Sequence, residues 1–120
     1  KCADVILTGG KIRKGELSLS GSLSEFNISN FNVEKAIIGA GGITDEGISD
    51  FIADEAALRS KVIQNAKTVI VLADFTKFGV RAMCRVCAWE DIDILITDDK
   101  APKDILRQIG KKGVEVIIAK

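Results

Sequence analysis

Thr68-Val69-Ile70-Val71-Leu72-Ala73-Asp74-Phe75-Thr76-Lys77-Phe78-Gly79 reads as a buried strand that stops on a carboxylate and passes through a lysine to a glycine turn. A continuous Val/Ile/Leu run of this length lacks the alternation of a half-exposed strand. It suits a strand covered on both sides, as in a parallel sheet. Upstream, Lys35-Ala36-Ile37-Ile38-Gly39 has the same character and runs into Ala40-Gly41-Gly42-Ile43-Thr44-Asp45-Glu46-Gly47. Downstream, Ile92 to Thr97 and Val114 to Ala119 supply two more strands, and Val5-Ile6-Leu7 before Thr8-Gly9-Gly10 is expected to be another.

Helices fall between these runs. Ile52, Ala56, Ile63 and Ala66 recur at helical spacing, with Glu55 and Arg59 four apart as a surface ion pair. Arg59 and Lys67 are expected to face solvent. Lys103 to Ile109 is expected to form a helix closed by Gly110, with Pro102 near its start, where a missing N–H costs least. Ser22 to Asn30, with Leu23, Phe26 and Ile28 on one side, suits a short helix, and Glu16 to Ser20 alternates as an edge strand would. Strands alternating with helices predict one α/β domain over residues 1–120: a mainly parallel, Rossmann-like sheet with helices on both faces. Such sheets bind ligands beyond the carboxyl ends of their strands, and Gly9-Gly10, Gly41-Gly42 and Asp74 to Gly79 all lie there.

The glycine-rich segment after the second strand suits an anion cradle, because glycines let backbone N–H groups approach phosphate oxygens. It matches neither the P-loop nor the dinucleotide fingerprint, and a plain tight turn accounts for it equally well. Asp74 and Lys77 offer opposite charges to one polar ligand: the carboxylate accepts from hydroxyls and the ammonium meets a phosphate. A solvated surface pair is the competing explanation. Glu55 is placed either to meet a ligand or to favour its own helix N-terminus.

Composition narrows the function. Lys and Arg total 17, as do Asp and Glu, so the chain carries no net basic footprint for a duplex, and DNA contact must come from elsewhere. Histidine is absent, which removes His-based catalysis and His metal ligation from this chain. Cys84-Arg85-Val86-Cys87 has no second cysteine pair to complete a metal site, so its thiols are expected to pack as small hydrophobes, as is Trp89. Three cysteines without a secretory signal point to a reducing cytoplasm, and no apolar run approaches the roughly 20 residues of a membrane span. No cofactor is expected. The start at Lys1 suggests a piece of a longer protein.

Read in order, Thr8-Gly9-Gly10, Ser20-Gly21, Gly39-Ala40-Gly41-Gly42-Ile43 with Gly47, Glu55 and Lys61, Ala73 to Gly79, Asp93 to Asp98 and Gly113 to Val116 resemble the C-terminal domain of DeoR-type bacterial repressors. The resemblance covers nearly the whole chain. It implies a sugar-isomerase-related fold, lacking catalytic residues, that senses a phosphorylated sugar or sugar alcohol. It further implies a cytoplasmic homo-oligomer whose N-terminal helix-turn-helix holds DNA. The expected ligand set is Gly9, Gly10, Gly41, Gly42, Asp45, Gly47, Glu55, Asp74, Lys77 and Phe78. Gly41 stands where the family usually has aspartate, which leaves Asp45, Asp74 or Glu55 to meet hydroxyls. The family's first strand and Gly-Thr-Thr-like loop have no counterpart here. The rival reading is a sugar-phosphate isomerase-like enzyme.

Overall fold

The computed structural model describes residues 2–120. A four-stranded parallel sheet is built from β3 (Val33–Ile38), β6 (Ala66–Leu72), β8 (Ile94–Asp98) and β9 (Glu115–Ala119), adjacent in that order. The four are the runs expected from sequence, since each is rich in the residues that pack on a pleated surface. Helix α2 (Ala53–Gln64) lies on the crossover from β3 to β6, and α3 (Lys103–Lys111) joins β8 to β9.

Register decides what is buried. Val69, Val71 and Leu95 point to one face and, with Ile43, Ile63, Trp89 and Ile109, form the core. On the alternate positions Ile37 is 63% exposed and Leu72 45%. Helix α2 turns Ala56 and Ile63 inward, and Asp54 and Glu55 occupy its first turn, where negative charge suits the helix dipole. Helix α3 runs through Gly110, so that glycine does not close it; the chain turns at Gly113, whose φ of 95° is the left-handed value glycine tolerates.

The second sheet is absent from the sequence reading. Strands β4 (Gly42–Thr44) and β5 (Gly47–Asp50) form a hairpin, and β7 (Cys84–Ala88) pairs with β5, all antiparallel. The Gly41 to Gly47 segment is therefore strand and hairpin, not an open loop feeding a helix. Strands of three to five residues are too short for their periodicity to show.

The N-terminal third departs most from expectation. Val5, Ile6 and Leu7 form no strand and are 79%, 76% and 76% exposed, because no neighbouring strand among the described residues offers them a ladder. The segment is held instead by α1 (Ser22–Ile28): Ser24 Oγ donates to the Gly9 carbonyl, and Asn27 Nδ2 to that of Thr8 at 2.6 Å. Ser24 is thus the buried face of α1, while Leu23 and Phe26 face outward. The Glu16 to Ser20 strand shrinks to β2 (Leu19–Ser20), paired with β1 (Lys11–Ile12), because Leu17 adopts a φ of 54°.

Candidate functional site

Parallel strands all deliver their carboxyl ends to one rim, and two rim loops touch there. The segment after β6 opens with Asp74, whose carboxylate accepts from the Thr76 amide at 2.9 Å and from the Thr76 hydroxyl, tightening Phe75–Lys77 into a single helical turn. These bonds hold the exposed Asp74 carboxyl below its ordinary pKa, with the Lys77 charge a smaller contributor. Phe75 N donates to Asp98 Oδ2 at 3.1 Å, which ties the turn to the end of β8. Beyond it, Gly79 N donates to the Ile43 carbonyl at 2.8 Å, and Phe78 bridges to Ile43. Phe78 also packs against the core.

The two glycines of the first rim loop differ in what they do. A Cβ on Gly42 would lie 2.9 Å from Ser49 Oγ and closer still to the Val80 carbonyl, so only glycine lets β4 approach the Lys77 loop this closely. Gly41 N donates to the Ser49 carbonyl at 3.0 Å, so this amide is spent within the protein and cannot serve a phosphate. A Cβ at Gly41 would meet the Phe51 ring and, at 3.2 Å, Asp50 Oδ1. An aspartate at 41 would set a second carboxylate against Asp50, which gives the glycine a local reason.

Beneath this loop lies an ionic cluster that sequence reasoning missed. Asp50 and Glu55 are only 4% and 9% exposed. Arg59 is in direct contact with Asp50 Oδ2, and its other amino group is 4.0 Å from Glu55. Glu55 Oε2 also accepts from Arg13 at 2.9 Å and from Ser18 Oγ at 3.2 Å, which fastens the β1–β2 hairpin to α2. Side chains on a helix lean toward its N-terminus, so Arg59 reaches up to the rim instead of out to solvent. Burial, and then the charge of Arg13, lower its pKa. The signal in the sequence was the Glu55–Arg59 spacing, which is present but half-buried.

The remaining candidates lie apart. Asp45 is at the hairpin tip, its carbonyl accepting from Lys112 Nζ at 2.7 Å beside the end of α3, while Trp89 Nε1 donates to Thr44 O at 2.7 Å. Both contacts belong to the amino-end side of the parallel sheet, so Asp45 and Gly47 do not join the rim. At Gly47 a Cβ would lie 3.0 Å from Ala88 Cα, so this glycine serves strand packing. Gly9 sits against α1, and Gly10 lines a separate cavity with Lys11, Ser20 and Asp54. No described contact joins either to Gly41 or Lys77. Glu55 is committed to its two arginines. Cys84 and Cys87 both pack against the core from one strand, about 10 Å apart at strand rise, beyond the roughly 7 Å a disulfide spans. Burial, with Asp91 adding, pushes the Cys87 thiol up to about 12. No cluster of three or more metal-ligating side chains occurs among the described residues.

Residues 1–99 match the family model described as the DeoR C terminal sensor domain. Among curated proteins, the chain is 34% identical over 115 residues to the HTH-type transcriptional repressor GlcR of Bacillus subtilis, covering 96% of this chain and 45% of that protein. It is 30% identical to a putative aga operon transcriptional repressor of Escherichia coli O157:H7 (96% and 43%). It is 28% identical to the glycerol-3-phosphate regulon repressor of Escherichia coli K12 (93% and 45%). The chain thus spans a little under half the length of these relatives.

Proposed function

The chain belongs to the DeoR C-terminal sensor domain family, and on that premise we propose that it senses a phosphorylated sugar or sugar alcohol at the carboxyl rim of its parallel sheet. The observation that carries the reading is the contact between the two rim loops: Gly79 N donates to the Ile43 carbonyl and Phe78 bridges to Ile43, which joins the loop carrying Asp74 and Lys77 to the strand that follows the Gly39–Gly42 turn. Lys77 supplies a compact positive charge for phosphate, and Asp74 accepts from hydroxyls. One relative is named for a glycerol-3-phosphate regulon, which agrees with a small phosphate ester as the signal.

The relatives are repressors, and we take the sensor to act on DNA only through a helix-turn-helix elsewhere in the whole protein, as a cytoplasmic homo-oligomer. The exposed Val5–Leu7 run and the open edge of β3 support the reading that further strands of the same domain pack there. An isomerase would want a carboxylate with a raised pKa beside the substrate carbonyl. Asp74 is exposed with its carboxylate engaged by Thr76, and the relatives are named as repressors, so the regulatory reading is preferred.

Fluorescence anisotropy of the full-length protein on its operator tests the proposal. A cognate sugar phosphate is expected to change the apparent DNA affinity by about 5- to 150-fold, the usual span of allosteric coupling, while the dephosphorylated sugar leaves it unchanged. DNA affinity indifferent to every sugar phosphate in a broad panel would refute it.

A further inference from the structure

The rim holds a second cation that the sequence pattern assigns to solvent. Arg59 lies beside Gly39, the residue that follows β3: a Cβ at Gly39 would stand 3.8 Å from one amino nitrogen of the guanidinium and 4.0 Å from the Leu72 carbonyl at the end of β6. The guanidinium thus lies beside the residue that leads from β3 into the glycine turn. Two buried carboxylates hold it there, Asp50 in direct contact and Glu55 at 4.0 Å. Asp50 is itself fixed, its Oδ1 accepting from Phe51 N at 2.9 Å. Glu55 is fixed by Arg13 and Ser18.

A guanidinium carries five N–H donors in a planar fork; here Nη1 meets Asp50 Oδ2, and Nη2 lies 4.0 Å from Glu55 Oε1. Nη2, beyond hydrogen-bond reach of Glu55 at 4.0 Å, is also the nitrogen beside Gly39, a residue that lacks a side chain. A cation pre-set by buried partners loses little freedom when it meets an anion, which is how binding groups are made effective. Lys77, by contrast, is a flexible ammonium for which no ion pair is formed among the described residues.

We infer that Arg59 is an anion-binding residue of the rim, its fork held by Asp50 and Glu55 and offered across Gly39 to the phosphate of a small phosphate monoester. The inference deepens the sensing proposal and rests on it.

Calorimetric titration of the intact protein with glycerol 3-phosphate, glucose 6-phosphate and inorganic phosphate tests it, comparing wild type with Arg59→Gln, Asp50→Asn/Arg59→Gln and, as a surface control, Arg107→Gln. The double variant removes the cation together with its buried counter-charge, so it reads the site even where Arg59→Gln alone fails to fold. Loss of a charge-assisted hydrogen bond is expected to weaken binding of whichever probe the wild type takes by at least about tenfold in the double variant, with Arg107→Gln unchanged. A folded double variant that binds like wild type overturns the role of Arg59 and leaves the rim reading intact. Wild-type protein that binds none of the three probes counts against the rim reading itself, and the inference falls with it.

Discussion

Substituting alanine at Gly42 and at Gly39 separates a glycine needed for packing from one that leaves room for a ligand. At Gly42 the added methyl would stand 2.9 Å from Ser49 Oγ and nearer than that to the Val80 carbonyl, where ordinary contact begins at 3.4 Å. Both neighbours are anchored: Ser49 Oγ accepts from the Ala82 amide at 3.0 Å, and the loop before Val80 is tied to β4 through Gly79. The backbone must therefore move, and overpacking of this kind costs about 1–3 kcal/mol. For a chain of this size that is a fall of roughly 5–15 °C in Tm. At Gly39 the methyl meets nothing nearer than 3.8 Å, and Ala is a little more constrained when unfolded, so stability should be unchanged or rise by about 0.4–1 kcal/mol. The same methyl fills the gap beside Arg59, so sugar-phosphate binding should weaken. Thermal melts and calorimetry on the intact protein check both halves. Gly42→Ala melting with the wild type, or Gly39→Ala proving the destabilising change, would refute the assignment.

Further expectations follow from single contacts. Trp89 is fully buried and its Nε1 donates to Thr44 O, so Trp89→Phe should lose about 1–3 kcal/mol from the orphaned carbonyl in denaturant melts. Asp74 has a pKa held below 3.8 by Thr76, so its contribution to stability is present above the unfolded value and is lost as pH falls through the folded one; Thr76→Ala should raise the carboxyl's NMR titration midpoint toward 3.8. Thiol labelling at pH 8 should modify the exposed Cys2 quickly and Cys87, with its pKa near 12, only on unfolding; equal rates would contradict its burial.

Much of this architecture is legible from residue patterns because the four parallel strands are continuous apolar runs and α2 and α3 repeat at helical spacing. What hid was set by partners far away in sequence. Strands β4 and β5 are three and four residues long, and only pairing with β7, some forty residues on, makes them a sheet. Val5–Leu7 has strand composition but no neighbour among the described residues, and composition alone does not make a ladder. Asp74 and Lys77 were visible because the charges interrupt an apolar strand end. Arg59 was not, since a Glu and an Arg four apart look the same whether the helix face is wet or turned toward Asp50. Asp45 and Gly47 looked like neighbours of Gly41 in sequence; a hairpin carried them to the other end of the sheet.

The most direct test of a ligand site at the rim is to follow backbone amide NMR shifts of the intact protein through a titration with a sugar phosphate that it binds. The account predicts that shifts concentrate at residues 39–42, 74–79 and Arg59. Shifts concentrated instead at Asp45–Gly47 and the end of α3, with the rim silent, would contradict it.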